Sequence, residues 1–273
     1  MVHWLLLMAL SNPWAQVSTP APGKPEPIGS YSAGCLQGAQ KFPLQGSGYQ
    51  LLRPAQHRYY GHPSLINYLN DLVHHAQAKG LPPLLIGDMA MVRGGPFASG
   101  HSSHQSGLDV DIWFRFAKPL LSKQQLASPK PYDMVNGRND QVSSSFTNQQ
   151  LTLLRLAATD NRVERIFVHP AIKLALCQRA SGDRRWLQRI RPWYGHRAHL
   201  HVRLRCPAGA YDCKPQKPIP PGDGCDADLA NWVRDIVQAA RNPKPYKKPE
   251  PPSTENLPAA CYPVLNSPTA WRR

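Results

Sequence analysis

The sequence predicts a single α+β domain that is cross-linked by disulfides, and three observations lead to this fold class. Some stretches have the apolar periodicity of helices, whereas others alternate as strands do. No internal repeat and no inter-domain linker interrupts the chain before Cys213. Six cysteines, an even number without any Cys-x-x-Cys pair, favour three disulfides in an oxidising compartment over a zinc ribbon.

Helices are predicted where apolar residues recur every three or four positions. The clearest stretch, "PSLINYLNDLVHHAQAK" at 63–79, buries one face and has Gly80 as its stop. Residues 148–160 form a second helical stretch, and shorter helices are predicted at 171–180, 183–190 and 226–240.

Strands are predicted at 83–92, at 109–112, at 163–168 ("VERIFV") and at 199–204. The last of these alternates cleanly, so that His199 and His201 face one way and Leu200, Val202 and Leu204 face the other. One face therefore belongs to the core, and the other carries imidazoles.

The ends of the chain differ from the domain proper, which is expected at 28–240. The apolar run in residues 1–11 resembles a signal segment, although it is short and lacks a preceding Lys or Arg, which leaves open whether it is truncated. Residues 12–27 are proline-rich and predict an extended leader. Residues 241–273 form a Pro/Lys-rich tail whose far end Cys261 is expected to hold against the domain.

The charge of the chain is strongly basic, at +15 from 32 Lys and Arg against 17 Asp and Glu. Such a charge attracts polyanions in general. No aromatic-basic repeat or nucleic-acid-binding motif is present, and the inferred disulfides and export signal argue against a nucleic acid. An anionic wall polymer fits better, with at most a peripheral contact to a membrane, because no later stretch has the roughly 18 to 20 apolar residues of a membrane helix.

Two histidines and two aspartates lie close together in "GHSSHQSGLDVDIW" at 100–113. Asp109 and Asp111 share one face of a strand, and Gly107 permits a turn that brings His104 back over the strand end. Two imidazoles and one carboxylate, with a fourth position left to water, are a recurring ligand set of catalytic zinc. The pattern predicts a zinc site in which His104 and Asp111 supply two ligands and the His-x-His strand the third.

Each of these residues taken singly has a simpler interpretation, as surface polarity or as a hydrogen-bond partner. Their concentration favours a site, because five of the eleven histidines lie within 101–104 and 196–201. The remaining histidines lack such neighbours and are interpreted as structural. The serines of "HSSH" are accompanied by neither Ser-x-x-Lys nor Gly-x-Ser-x-Gly, so a serine hydrolase is weakly supported.

The combination of His-x-x-Gly-x-x-x-Asp at 104–111 with His-x-His at 199–201 resembles the metallopeptidase superfamily of lysostaphin-type enzymes, D-Ala-D-Ala metallopeptidases and hedgehog domains. More narrowly, the sequence closely resembles the penicillin-insensitive murein endopeptidases over about residues 28–225. The segments that carry this resemblance are "IGDM", "GGPFASGHSSHQSGLDVDI", "RIFVHPAIK", "RPWYGHRAHLHVRLRCP" and "IPPGDGC".

The resemblance implies site roles residue by residue. His104, Asp111 and His201 would bind one zinc ion. His199 would be the general base or a transition-state stabiliser, and His196 a second polar group at the same site.

A second zinc ion in some relatives is bound through the first histidine of the motif, here His101. Arg138 and Gln141 stand where the relatives' other ligands would align, so this second site is doubtful. Asp140 could substitute only after a small shift of its loop.

The resemblance also implies the disulfide pairing, the fold and the location. Spacing alone leaves fifteen pairings of six cysteines open, although Cys206 and Cys213 bracket a short loop and can pair locally. In the family the pairs would be Cys35–Cys261, Cys177–Cys225 and Cys206–Cys213. The expected fold is a small antiparallel sheet with flanking helices and long loops, in a periplasmic protein that is a homodimer in some relatives.

The activity implied is hydrolysis of the D-alanyl to meso-diaminopimelyl crosslink of peptidoglycan by a zinc-activated water, without a serine acyl-enzyme that a β-lactam could trap. Two alternatives stay open. One is a D,D- or L,D-carboxypeptidase that trims the ends of wall stem peptides. The other is a non-catalytic, hedgehog-like wall-binding module.

Overall fold

The structure of the chain, a computed structural model, describes residues 12–98, 100–241 and 256–268. The predicted signal segment at 1–11 lies outside the described residues, as does most of the predicted tail at 241–273. Within the part described, no helix is both long enough and apolar enough to cross a membrane.

Strands and helices are mixed along the described chain, as the sequence predicts. The strands are β1 (Glu26–Ser30), β2 (Ala33–Gln37), β3 (Gln40–Lys41), β4 (Gln45–Gly46), β5 (Tyr49–Leu51), β6 (Tyr60–Gly61), β7 (Leu84–Ile86), β8 (Asp109–Trp113), β9 (Val163–Val168), β10 (Ile190–Pro192) and β11 (His199–Leu204). The helices are α1 (Pro13–Gln16), α2 (Pro63–Ala78), α3 (Lys123–Ala127), α4 (Asn148–Thr159), α5 (Pro170–Arg179), α6 (Ala227–Arg241) and α7 (Cys261–Asn266), with single 3-10 turns at Pro54–Gln56 and Arg185–Arg189.

The largest sheet in the described residues has seven strands in the order β10-β9-β11-β8-β7-β5-β4. Its centre is antiparallel, as expected for this α+β class, because β11 pairs antiparallel with both β8 and β9. One parallel pair lies on each side of this centre, namely β9 with β10 and β5 with β7. The two small sheets are the pairs β1-β2 and β3-β6.

The two central strands divide the molecule into a core face and a site face. Val110, Ile112, Leu200 and Val202 are fully buried and belong to the main hydrophobic core. Because side chains alternate along a strand, the intervening positions of β8 and β11 point to the opposite face. The sequence pattern that placed Leu and Val on one side of β11 and histidines on the other is confirmed.

Helix α2 packs on the core face, and its ends follow from local chemistry. His62 accepts a hydrogen bond from the backbone N–H of Ser64, and Pro63 occupies the first turn, where no N–H is needed. The helix buries an apolar stripe that includes Leu65, Leu69 and Leu72. Gly80, with a φ of 70°, follows its end, so the helix predicted at 63–79 is confirmed to within a residue.

Two predicted elements are shorter in the structure than the sequence suggested. The strand expected over 83–92 ends at Ile86, because Gly87 and Asp88 both bond to the backbone of one residue, Asp111, which breaks the regular pairing with β8. The backbone of Met89 and Ala90 then hydrogen-bonds to residues 58 and 60. The helix expected over 183–190 is a 3-10 turn, since Ile190 instead joins the sheet beside Ile166.

The predicted extended leader contains a helical turn, α1, and packs against the domain. Trp14 is 1% exposed and lies in a second apolar cluster with Phe97, Leu257 and Val264. Next to this cluster the buried Arg93 donates hydrogen bonds to carbonyls near both ends of the chain, among them those of Thr19, Val264 and Leu265. Both chain ends thus support the segment that leads into the site.

The three disulfides are those that the family resemblance implies. They join Cys35 to Cys261, Cys177 to Cys225, and Cys206 to Cys213. The first spans 226 residues in sequence and connects β2 to α7. A cross-link that closes so long a loop restricts the unfolded chain more than a short one does.

Candidate metal centre

The candidate metal centre forms where one loop crosses the site face of the two central strands. His101 and His104 lie in the loop before β8, Asp111 lies on β8, and His201 lies on β11. His201 and Asp111 are directly paired in the antiparallel ladder, so their side chains are adjacent on one face. Strand pairing therefore joins residues that are 90 positions apart in sequence.

The loop can approach the strands so closely because of its backbone and its buried anchors. Gly107 has a φ of 72°, and a Cβ there would lie 2.3 Å from the side chain of Leu36, so only glycine fits without rearrangement. His104 itself has a φ of 70°. Gln105 holds the loop by donating to the carbonyls of Ser32 and Ser102. The ring of Phe97 stacks on that of His104, with their centroids 5.7 Å apart.

Four side chains converge closely enough to share one ion. One ligand atom each from His101, His104, Asp111 and His201 lies within 4.8 Å of the other three. Asp111 Oδ1 is 3.5 Å from His104 Nε2 and 3.0 Å from His201 Nδ1. Asp111 Oδ2 is 3.3 Å from His101 Nε2. Imidazole nitrogen and carboxylate oxygen in this number match the donor set of zinc.

The burial of these groups supports a cation as their missing partner. His104, Asp111 and His201 are each at most 3% exposed. Within the described residues, three of their atoms make no hydrogen bond, namely both ring nitrogens of His104 and Oδ1 of Asp111. Buried polar atoms that lack partners are costly, so their concentration at one point indicates a binding site. The donor set thus fits the zinc ion that the sequence predicts.

The side chains of the site differ in how burial and neighbouring charges shift their pKa values. Burial lowers the pKa of His104 to about 3, which keeps this imidazole neutral and able to bind a metal. Burial also opposes ionisation of Asp111, but the surrounding histidines, His199 first, hold the pKa of its carboxyl well below its usual range. For His201, burial is outweighed by Asp109 and Asp111, which raise its pKa to about 9. An imidazole must lose this proton before it can bind a metal.

A second carboxylate, Asp109, orients the ligands from behind. Its Oδ2 lies 3.3 Å from His201 Nε2 and accepts a 3.1 Å hydrogen bond from the backbone N–H of His104. Arg203 donates to both oxygens of Asp109, at 2.9 and 2.8 Å. Such a carboxylate behind a metal-binding histidine fixes the ring and raises its basicity. The sequence pattern predicted the face of Asp109 but gave no role for it. The signal was in the two strands: Asp-x-Asp on β8 and His-x-His-x-Arg on β11 place Asp109, His201 and Arg203 on the same face.

His101 faces a further carboxylate, Asp88, which sequence reasoning did not single out, through the same nitrogen that faces Asp111. His101 Nε2 is 3.3 Å from Asp88 Oδ2, and Arg53 and Arg58 each lie 3.2 Å from the same carboxylate. Asp140, the predicted partner of His101 for a second ion, instead accepts a 2.7 Å hydrogen bond from Asn136 in its own loop. The group of possible ligands that contains His101 does not include Asp140.

The two remaining predicted residues border the same centre. His199 Nε2 lies 3.7 Å from Asp111 Oδ1 and has no hydrogen-bond partner among the described residues. The ring of His196 is 5.2 Å from that of His199, centroid to centroid, and its Nδ1 lies 2.7 Å from the carbonyl oxygen of Tyr194. Burial lowers the pKa of both imidazoles, that of His196 to about 3.

An open cleft of about 430 Å³ gives access to the centre. Its wall includes His101, His196 and His201 together with Phe167 and Trp193. Trp193 is 55% exposed and adds aromatic surface to this wall next to Phe167. The arrangement can bind a divalent cation next to a groove wide enough for a peptide.

Comparison with known proteins agrees with this chemistry. The family model described as penicillin-insensitive murein endopeptidase matches residues 27–266. The chain is 48% identical to the penicillin-insensitive murein endopeptidase of Yersinia enterocolitica over 259 residues, which cover 93% of this chain and 94% of the relative. It is 46% identical to the protein of the same name from Salmonella newport over 257 residues, or 94% and 92% of the two chains.

Proposed function

Because the chain belongs to the penicillin-insensitive murein endopeptidase family, we propose that it cleaves the D-alanyl to meso-diaminopimelyl crosslink of peptidoglycan with one zinc ion. The ion would be held by His104, Asp111 and His201. The observation that carries the proposal is the convergence of buried imidazole and carboxylate atoms, which have no hydrogen-bond partner in the described part of the chain, at the foot of an open cleft. The three disulfides support an oxidising location, which we take to be the periplasm.

The chemistry divides between the ion and the chain. When bound, zinc supplies Lewis acidity, which polarises a carbonyl and makes water acidic near neutral pH. The chain's part is to hold the ligands rigidly: Asp109 orients His201, and the glycine turn at 107 presents His104. His101, held between Asp88 and Asp111, supports the carboxylate ligand.

His199 is placed to move the proton. Its Nε2 faces the centre without a partner, and burial keeps its imidazole neutral, so it can accept a proton from the attacking water and pass it to the leaving amine. His196, 5.2 Å from His199 between ring centroids, adds a second polar group on the same side of the cleft. This scheme requires no serine nucleophile, so a β-lactam has nothing to acylate.

The test of the proposal is digestion of purified, crosslinked muropeptide dimers. We expect the protein to convert dimers to monomers, to do so equally in the presence of a β-lactam, and to lose the activity when a chelator removes its metal. Added zinc should restore it, since the ligands remain in place. Product analysis by mass spectrometry, with metal analysis of the same samples, measures both results.

Two outcomes would replace the proposal with an alternative. Release of terminal D-alanine alone, with dimers left intact, would make the protein a carboxypeptidase. Stoichiometric zinc and binding to sacculi without any cleavage would make it a wall-binding module.

Substituting His199 by alanine separates metal binding from catalysis. We expect the His199→Ala variant to retain its zinc, because His104, Asp111 and His201 are unchanged, and to lose about 10²- to 10⁴-fold in kcat, the usual contribution of a general base. His75→Ala, on the exposed side of α2, is the matched control and should cleave normally. Normal turnover by His199→Ala would show that the role assigned to this residue is wrong.

A further inference from the structure

The cleft contains an arginine that the proposed mechanism does not use. Strand pairing arranges two rows of side chains across β8, β11 and β9 on the site face. The first row is Asp111, His201 and Phe167, and the second row is Asp109, Arg203 and Arg165. With about 4.8 Å between strands and about 3.3 Å per residue along them, the Cα atoms of Arg165 and His201 are roughly 8 Å apart. Arg165 therefore lies one row from the metal centre.

The two arginines of the second row differ in how their charge is compensated. Arg203 is neutralised by its two hydrogen bonds to Asp109. Arg165 donates to a neutral acceptor, the backbone carbonyl of Lys217. Its Nε forms an ion pair with Glu164 Oε1 at 3.8 Å, a separation beyond hydrogen-bonding distance, and makes no hydrogen bond within the described residues. The cleft wall thus presents a positive charge that the protein only partly compensates.

The surroundings of Arg165 include a second positive charge. The pKa of the neighbouring Arg191 is lowered, first by the burial of Arg191 and then by the positive charge of Arg165. The side chain of Arg165 is only 15% exposed, so its guanidinium is shielded from bulk water on most sides while it borders the cleft. A partly desolvated arginine of this kind favours a carboxylate, which it can bind through two parallel hydrogen bonds.

An apolar wall lies between this arginine and the rim of the cleft. The rings of Phe167 and Trp193 meet edge to face, with centroids 6.0 Å apart. Phe167 also packs against the ring of His201, at 5.5 Å between centroids. A substrate group next to the metal would therefore contact aromatic surface on one side and the guanidinium beyond it.

The proposed substrate offers a matching group. In a D-alanyl to meso-diaminopimelyl crosslink, the carbon that carries the leaving amine also carries a free carboxylate, followed by a chain of methylene groups. This is the carboxylate nearest to the scissile bond. It is two bonds from the leaving nitrogen, whereas the two rows are about 6.6 Å apart along the strand, a gap that the long side chain of Arg165 can span. The methylene groups suit the aromatic wall.

We propose that Arg165 binds the carboxylate on the leaving side of the scissile bond and so determines specificity for crosslinks in which that carboxylate is free. This inference rests on the proposed function, and it assigns Arg165 to substrate recognition. The Asp109–Arg203 pair beside it serves to keep the neighbouring position neutral.

The test compares two substrates and three proteins. Crosslinked dimers with the leaving-side carboxylate either free or amidated are digested by the wild type, by Arg165→Gln and by Arg165→Lys. On the free acid we expect Arg165→Gln to lose about 10- to 100-fold in kcat/KM, chiefly through a higher KM, because one charge-assisted pair is removed. On the amidated dimer the wild type should lose a similar factor, and the variant should lose nothing further. Arg165→Lys should lie between the two on the free acid, since it keeps the charge without the planar donor pair.

One control variant and one further substrate make the outcome decisive. Arg185→Gln, a 91% exposed arginine that does not line the cleft, should behave as the wild type on both substrates. Equal losses by Arg165→Gln on both dimers would overturn the proposal in favour of a structural role. A third dimer carries the amide on a different carboxylate. If wild type and Arg165→Gln had the same kcat/KM on that dimer but not on the leaving-side amide, the assignment of Arg165 to the leaving side would be overturned. Failure of the proposed function looks different, since the wild type would then cleave neither dimer.

Discussion

Substitution of His201 by alanine is expected to abolish cleavage of crosslinked dimers, with kcat/KM falling about 10³-fold or more, because the several kcal/mol that a bound metal contributes to the transition state would be lost. His201 Nδ1 is 3.0 Å from Asp111 Oδ1, at the centre of the proposed ligand set, and its other nitrogen faces Asp109. Of the four converging side chains, His101 alone lies outside the proposed ligand set, and its Nε2 already faces the carboxylates of Asp88 and Asp111. Steady-state kinetics with metal analysis of the purified variant measures both effects.

The control for this substitution is His74→Ala, which removes an exposed histidine on α2. It should leave both zinc content and turnover unchanged. If His201→Ala retained one equivalent of zinc and normal activity, the ligand set proposed here would be wrong, and His101 would have to be the third ligand beside His104 and Asp111. The same outcome would remove the reason for placing Asp109 behind the metal.

Replacing Arg203 by methionine is expected to cost the largest amount of stability of any single change near the site. Arg203 and Asp109 form a buried ion pair, and removing one partner of such a pair typically costs about 3–5 kcal/mol in free energy of unfolding, because the other charge stays buried without compensation. The Arg203 guanidinium also lies over the rings of Tyr31 and Phe167, and methionine keeps an unbranched side chain there while it removes the charge and with it these cation–π contacts. The loss therefore reports on the charge. Urea denaturation followed by circular dichroism measures it.

The double variant Asp109→Asn with Arg203→Met distinguishes charge from packing. It leaves no uncompensated carboxylate, so it should recover a large part of the stability lost by Arg203→Met alone. Its zinc affinity should still fall about 10- to 100-fold, because the carboxylate that orients His201 is gone. A double variant no more stable than the single one would show that the shape of Arg203, not its charge, is what the core requires.

Local pattern was sufficient for the elements that bear the site. The periodicity of α2, with proline at its start and glycine at its end, depends on neighbours three and four residues apart, all visible in sequence. The alternation along β11 likewise separates core from site without knowledge of its partner strands. The three disulfide pairs of the chain were predicted only through resemblance to a family, since spacing alone leaves the pairing open.

Contacts that depend on the path of the chain were beyond the sequence. Asp88 follows a short strand and has no patterned neighbour, yet it meets His101 together with Arg53 and Arg58. Trp14 lies in a proline-rich leader that predicts no packing, yet its ring lies against Gly95, at the start of the site loop.

By itself, then, the sequence predicted the type of chemistry, because the residue types and their spacing along one loop and two strands favour a metal ligand set in an α+β domain. Only the tertiary structure decided which charges stand behind and beside that set. The pairing of Asp109 with Arg203 and the incomplete compensation of Arg165 arise from the register of three strands that are distant in sequence. Register is set by burial of the apolar face across the whole sheet, a collective property that no single segment encodes.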